Sequence, residues 1–559
     1  MSLKVELIKG LEKIDNIIYN SDLIDNSNRD IFIKLKNDIE NFKIYLPLIG
    51  NFNAGKSSIL NLLLEKDELL PTNIVPETAI ATEIIYDKTE RVEAFNFESD
   101  SIVKTFSSLD ILKDEKIKDY GYIKVYKNSS FLSENRDVIL VDMPGLDSNI
   151  KRHNSQILNY LQKDAVSFIA VVDIDDGTIK GSTLRFIDEL NRYKLDFFVL
   201  INKVDKKTPS EIEKIKQNIY NELLKYSENP FVGAISTFDN DVRDFKNIFS
   251  KINREKYIKV IFIESIIFNI DKIIQDLEVR KSAIQIDTEE IDKKIKNLID
   301  GIYEFEKSLR REKRLIENKF SINVLNSILR DIEDALLKNI DRLITSLNTS
   351  DEIFQITLNE IIRPVLIQAF DKNIEKEFTL TIDNLKNSRD DIFVNIPNIL
   401  DKSQSVINVA TDIFKHTPIL LKIPLLVNIF KFLVTKVNPV VTALSAIVAL
   451  VSGFFEKSKE EQEREAYENM KRHIKESVIP EIIYKIRPNV IDVLEEVKEG
   501  FFKEIESSIN QQKKELVASL NKAKEEKERY KSNIKAKINS FDNTIDILVK
   551  EKEKIFGLK

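Results

Sequence analysis

The chain has no cysteine, and only 12 glycines and 13 prolines are spread over its 559 residues. The first absence excludes a disulfide framework, a thiolate metal site and a cysteine nucleophile, and it suits a reducing compartment. The second leaves few residues that turn or break a chain, so a sequence 42% hydrophobic and 32% charged is predicted to be dominated by long helices. An excess of basic charge is missing too. With 85 Lys and Arg against 92 Asp and Glu the net charge is −7, which excludes a generally basic nucleic-acid binder, and no nucleic-acid partner is expected. Residues 1–20 alternate Lys, Glu and Asp with Leu and Ile and contain no continuous apolar core, so they predict an amphipathic helix and not a secretory signal. His153, His416 and His473 show no metal-ligand spacing. At this length several domains are expected.

One stretch organises the rest. After the apolar run Tyr45-Leu-Pro-Leu-Ile49 comes Gly50-Asn51-Phe52-Asn53-Ala54-Gly55-Lys56-Ser57-Ser58, followed by the helix-periodic Ile59-Leu60-Asn61-Leu62-Leu63. Strand, G-x(4)-G-K-S loop and helix start are the context in which this pattern holds phosphates. Gly50 and Gly55 suit backbone geometries that a Cβ obstructs. The N–H groups of the loop, through Asn53, Ala54 and Ser58, then face the anion at a positive helix end. Lys56 is placed to reach the β- and γ-phosphates and Ser57 to ligate Mg²⁺.

Three further elements follow in order. Asp142-Met-Pro-Gly145 succeeds the run Val138–Val141, so Asp142 is expected to hold the ion and the Gly145 N–H to sense the γ-phosphate. Asn202-Lys203-Val204-Asp205 succeeds Phe197–Ile201; a carboxylate at Asp205 accepts from guanine N1–H and the N2 amino group together, which selects GTP over ATP, while Asn202 and Lys203 support the loop and cover the base. Thr78, in Pro76-Glu-Thr-Ala79, is the candidate switch threonine for Mg²⁺ and the attacking water, with Thr72 and Thr82 as competitors. Ser236, in Ala234-Ile-Ser236, is expected to back the guanine through its main chain. Leu146 follows Gly145 and cannot orient a water, so other groups must. The carboxylates of Asp173-Ile-Asp-Asp-Gly177 read as N-capping and turn residues.

Apolar runs at 43–49, 82–86, 137–141, 165–172, 195–201 and 230–235 alternate with helical stretches, which predicts an α/β domain with a mainly parallel sheet over 42–250. Residues 1–41, 251–415 and 457–559 carry helical periodicity and few breakers, and long antiparallel helices are the expected outcome. Between them 416–456 is the most apolar part of the chain: Val437–Phe455 carries no charge and Pro418–Phe430 carries one.

With all four nucleotide elements ahead of long helices and an apolar insertion, the sequence resembles the dynamin superfamily of large GTPases, and within it the bacterial dynamin-like proteins with mitofusin-like relatives. The motif match spans about residues 44–236. The resemblance implies a GTP/GDP and Mg²⁺ site built from Gly50, Asn53, Ala54, Gly55, Lys56, Ser57, Ser58, Thr78, Asp142, Gly145, Asn202, Lys203, Asp205 and Ser236, with Lys56, Asn53, Thr78 and Gly145 as the catalytic set. Where dynamins carry Gln-Ser in the loop this chain has Phe52 and Asn53, which puts cation-assisted, dimer-stimulated hydrolysis in doubt more than GTP binding. The resemblance also implies a helical neck and trunk, with 416–456 as a paddle. It implies a homodimer or a hetero-oligomer with a paralogous dynamin-like protein, and a peripheral place on the cytoplasmic face of a membrane.

Val437–Phe455 as a straight helix would measure about 28 Å, close to the roughly 30 Å hydrocarbon core. Pro418, Pro424 and Pro439 break the region, however, and Lys422, Lys431 and Lys436 punctuate it, so a shallow hairpin on anionic lipid is expected, with Leu444, Ile447 and Leu450 entering one leaflet. The alternative is an apolar helix pair buried in the trunk or in an interface of a GTP-regulated scaffold.

Overall fold

The computed structural model describes residues 3–64, 69–70, 80–96, 101–113, 117, 119–145, 160–161, 163, 165–192, 195–393, 460–530 and 533–558. Segment 394–459, which contains Lys431, Lys436, Leu444, Ile447 and Leu450, lies outside the described residues, as do Thr72, Thr78 and Leu146. The chain divides into two compact units, Phe42–Arg254 with Thr349–Glu360, and Met1–Asn41 with Glu255–Asn348 and Ile361–Lys559.

The first unit is α/β. Its strands are β1 Ile44–Gly50, β2 Thr82–Tyr86, β3 Arg91–Phe95, β4 Ile102–Phe106, β5 Tyr122–Lys127, β6 Val138–Asp142, β7 Ser167–Asp173, β8 Asp196–Asn202 and β9 Val232–Ala234. They form one nine-stranded sheet in the order β4-β3-β5-β2-β6-β1-β7-β8-β9. β1 is central because it is apolar on both faces, with Ile44, Leu46, Leu48 and Ile49 fully buried, the signature of a strand covered from both sides. It runs parallel to β6 through Leu48↔Asp142 and to β7 through Gly50↔Val171. From β1 the chain runs outward through β2, β3 and β4, returns through β5 to β6 beside β1, then crosses to β7, β8 and β9 on the other side. A parallel sheet that reverses in this way opens a crevice at the carboxyl ends of its central strands.

The sequence runs foretell six of the nine strands. β3 and β5 go unmarked because they alternate polar and apolar residues, as in Arg91-Val-Glu-Ala-Phe95, and β4 because it is a short, largely exposed strand with no apolar run. With them the sheet gains an antiparallel portion, since β3 pairs antiparallel with β4 and β5, and β2 antiparallel with β6. The sheet is mainly parallel across its site-bearing strands.

Helices follow their local signals. Pro209–Leu223 starts on a capping box, in which the Thr208 side chain accepts from the Glu211 N–H while Glu211 reaches back to the Thr208 N–H. Lys56–Leu63 starts at Gly55 in the left-handed conformation.

The second unit is helical. Leu3–Tyr19 buries Leu7, Leu11, Ile14 and Ile18 on one stripe. Glu264–Ala283 buries Ile266, Ile270, Ile273 and Leu277. The 51-residue helix Ile479–Arg529 packs on Glu264–Ala283, Thr288–Lys319 and Leu325–Lys338, and Ile534–Phe556 packs on Leu3–Tyr19 and Glu264–Ala283. Each helix buries only a stripe, so its stability comes from these partners. Arg280 sits fully buried where the segments meet. A buried cation is tolerated only when it is fully paired, and Arg280 donates to the Leu23 carbonyl, to Asp276 at 2.9 Å and to Glu526, with the Phe541 ring 5.3 Å away.

Candidate nucleotide site

β1 ends at Gly50 with φ 147°, where a Cβ would lie 2.4 Å from the Val171 carbonyl of the neighbouring strand. Only a residue without a side chain lets the loop leave the sheet there. A short turn Phe52–Ala54 follows, and then Gly55 at φ 89°, where a Cβ would meet the Asn202 side-chain nitrogen at 2.3 Å. The loop is therefore wrapped between β7 and the end of β8, and the helix that begins at Lys56 presents its N-terminus to the space inside it.

Lys56 is buried, and its Nζ donates to the carbonyls of Gly50 at 3.2 Å and Asn51 at 2.9 Å. These bonds fold the ammonium over its own loop. Ser57, one residue on, donates its hydroxyl to Asp142 Oδ2 at 2.6 Å, so the loop serine and the last residue of β6 stand together as the sequence predicts. Asp142 Oδ1 is buried and has no hydrogen-bond partner among the described residues. Burial raises the Asp142 carboxyl above its ordinary range, against the opposing pull of the Ser57 hydroxyl and the Lys56 charge. A hydroxyl beside a buried carboxylate with an open oxygen is an oxygen-donor set suited to a hard divalent cation such as Mg²⁺. Gly145, three residues after β6, is buried together with Met143. Ser58 lies half-buried in the first turn of the loop helix, and Asn53 is exposed on the loop.

The third corner is held by β8. Its terminal Asn202 is fully buried and donates to the Ala54 carbonyl at 3.0 Å, fixing the loop from behind. Lys203 adopts φ 64°, and its Nζ reaches the Asn53 carbonyl at 2.7 Å and Asp173 Oδ2 at 2.6 Å. Asp205 accepts at Oδ1 from the Ser236 hydroxyl at 2.8 Å. A small cleft runs between Asn53 and Ala54 on the loop and Asp173 at the end of β7.

The main chain of Ser236 pairs within the fold: its N–H donates to the Asp241 carbonyl at 3.0 Å and its own carbonyl accepts from the Asp241 N–H at 2.8 Å. Its hydroxyl orients Asp205. Replacing Ser236 by alanine removes a hydrogen bond to a charged group, worth about 1.5 kcal/mol. Calorimetry should show GTP affinity falling roughly tenfold while weak ATP binding is unmoved.

Two residues that hold the site escaped the sequence. Asp173 does cap the following turn, accepting from the Asp175 N–H at 3.0 Å, but it also pairs with Lys203 across the sheet end. Asn61 is buried one turn beyond Ser57, and it clasps Leu70 both ways, donating to the carbonyl at 2.8 Å and accepting from the N–H at 2.6 Å. The available signal was a lone amide inside an otherwise apolar helix face.

Residues 46–204 match the pattern of the dynamin family. An uncharacterised protein encoded in the xynA 3′ region of Caldicellulosiruptor is 34% identical over 217 residues, which is 37% of this chain and 50% of that protein. Dynamin-like protein 2 of Campylobacter jejuni is 25% identical over 223 residues, 40% of this chain and 34% of that protein. The chain therefore matches half or less of the length of these relatives. A solved bacterial dynamin pair, described as oligomerised and as providing a mechanism for the long range sensing and tethering of membranes, superposes over 100% of this chain and 82% of its own, at 16% identity and a TM-score of 0.43. The family match falls on the strands and loops that build the site, and over residues 46–204 the chain is similar to the dynamin family and to the bacterial dynamin-like proteins.

Proposed function

We propose that this protein binds GTP with Mg²⁺, hydrolyses it, and couples the cycle to self-assembly and to binding, tethering or remodelling of a membrane from its cytoplasmic face. The observation that carries the nucleotide reading is a chain of bonds linking the loop to the ends of β6 and β8 and the end of β8 to the segment after β9: Ser57 on Asp142 at 2.6 Å, Asn202 on Ala54 at 3.0 Å, and Ser236 on Asp205 at 2.8 Å. Each bond fixes a group whose chemistry suits one part of a Mg²⁺-bound guanine nucleotide. Ser57 and Asp142 would hold the ion, with Thr78 as the proposed third ligand. The ion supplies charge neutralisation of the phosphates when bound. Lys56 holds the phosphates, Gly145 donates its N–H to the terminal one, and Asp205 reads the base. Ser236 keeps Asp205 in the orientation that guanine requires.

Membrane association rests on the family and on the uncharged stretch Val437–Phe455. Among the described residues no helix is long and apolar enough to cross a membrane, and peripheral contact through 416–456, including Lys431, Lys436, Leu444, Ile447 and Leu450, is the form we propose. Assembly as a homodimer or with a paralogous dynamin-like chain would bring nucleotide-bearing faces or helices together.

One experiment tests both halves. Phosphate release is followed over a hundredfold range of protein concentration with GTP or ATP, and the same samples are floated with vesicles of phosphatidylcholine alone or with added phosphatidylserine. GTP-specific turnover that rises per molecule with concentration, and flotation on the anionic vesicles, are expected. Equal turnover of ATP would refute the base-reading role of Asp205, and a protein that never floats would leave the scaffold reading in possession.

A further inference from the structure

The helix Thr288–Lys319 carries an exposed basic face that nothing in the nucleotide site uses. Arg310, Arg311 and Arg314 are exposed, and none of them has a partner among the described residues. Their neighbours are engaged elsewhere. Lys313 goes to Glu499 at 2.7 Å and Glu312 takes Asn384 at 3.1 Å. Lys307 bonds Glu304 at 2.7 Å and lies 4.7 Å over the exposed Tyr303 ring. At 3.6 residues per turn Tyr303, Lys307, Arg310 and Arg314 fall along one stripe about 17 Å long, with Arg311 at its margin. Large apolar side chains lie exposed in the same stretch: Tyr303 at 54%, Leu315 at 44% and, one turn past the helix end, Ile322 at 61%.

We propose that this face of Thr288–Lys319 is a docking surface for an anionic lipid bilayer, a second contact separate from 416–456. The inference rests on the membrane reading above and adds a site to it. The chemistry favours lipid over the other anionic surfaces. Three guanidiniums left without carboxylates match a plane of phosphate and carboxylate headgroups, which accept from them in pairs. Exposed Tyr303 on the stripe and Leu315, one turn on from Arg311 at its margin, gain by entering the boundary between headgroups and acyl chains, where aromatic and aliphatic side chains partition. On a nucleic-acid backbone the same apolar groups would stay hydrated and contribute nothing, and the chain as a whole carries a net charge of −7. An amphipathic face of this kind binds by charge and buried apolar area together, so its affinity should fall with salt and with loss of anionic lipid.

The test uses the full chain and the triple variant Arg310→Gln/Arg311→Gln/Arg314→Gln. These side chains make no hydrogen bond or ion pair to the described fold, so thermal unfolding and GTP affinity should match the parent. On phosphatidylcholine vesicles carrying phosphatidylserine, the variant should bind at least tenfold more weakly than the parent, and the corresponding triple Lys variant should keep most of the binding. A Gln variant that floats as well as the parent overturns the site while leaving membrane binding through 416–456 standing. Displacement of the parent from vesicles by duplex DNA at equal phosphate, or equal binding to neutral vesicles, overturns the choice of anionic lipid. A parent that floats on no vesicle removes the membrane reading, and this inference with it.

Discussion

Lys56→Ala should lower GTP affinity by more than a hundredfold while leaving the fold intact. Lys56 is only 5% exposed, and its Nζ lies 3.2 Å and 2.9 Å from two carbonyls of the loop that wraps it. Those carbonyls hold the ammonium where the phosphates are expected, so the cation is already desolvated and aimed. Removing one partner of such a buried, hydrogen-bonded charge pair costs about 3 kcal/mol or more, and 1.4 kcal/mol is tenfold in affinity. The folded protein loses two hydrogen bonds of its own at the same time, but the carbonyls they leave keep loop geometry set by Gly50 and Gly55. Lys56→Arg should not restore binding, because the planar guanidinium is wider than the loop accommodates and directs its donors in a fixed fork. Calorimetry with GTP and Mg²⁺ decides it: an alanine variant within threefold of the parent would mean that Lys56 does not face the phosphates.

What the sequence disclosed divides along a physical line. Ser57, Lys56 and Asp205 could be placed because each belongs to a short segment whose local chemistry, a strand followed by a loop, already fixes where its side chain goes. β3 and β5 could not, because half-buried strands such as Tyr122-Ile-Lys-Val-Tyr-Lys127 alternate in character and owe their pairing to neighbours far along the chain. The pairing of Asp173 with Lys203 was hidden for the same reason, since their proximity is a property of the folded sheet, whereas the clasp of Asn61 on Leu70 is local and simply belongs to no motif. Ser236 is the instructive intermediate. Its position after β9 was legible, but which of its groups is used depended on Asp241 returning to pair with its backbone. Arg280 is the extreme case, since its carboxylate partner Glu526 lies 246 residues away, and a lone arginine in a helical stretch reads as solvated until the bundle closes around it.

Asp205→Asn should exchange one base preference for another, and this tests the site at the level of single hydrogen bonds. Asp205 lies in the short turn Val204–Lys206 after β8, its Oδ1 fixed by the Ser236 hydroxyl at 2.8 Å. As a carboxylate it offers only acceptors, which match the N1–H and the N2 amino group of guanine. Asparagine keeps one acceptor and replaces the other with an NH₂ donor, which meets the N2 amino group donor to donor. One bond is lost and two donors are left opposed once the base covers them, a cost of about 3–4 kcal/mol and so two to three orders of magnitude in GTP affinity. Xanthine differs from guanine by carrying a carbonyl oxygen where guanine has the amino group. The asparagine NH₂ can donate to that oxygen while its carbonyl accepts from N1–H, so xanthosine triphosphate should bind the variant far better than GTP does. Ser236 can still donate to the remaining Asn carbonyl oxygen, which keeps the side chain in register. Competition of the two nucleotides against a fluorescent analogue, in parent and variant, measures both affinities in one format. If the variant retains parental GTP affinity, or if xanthosine triphosphate gains nothing, then Asp205 does not read the base through its carboxylate.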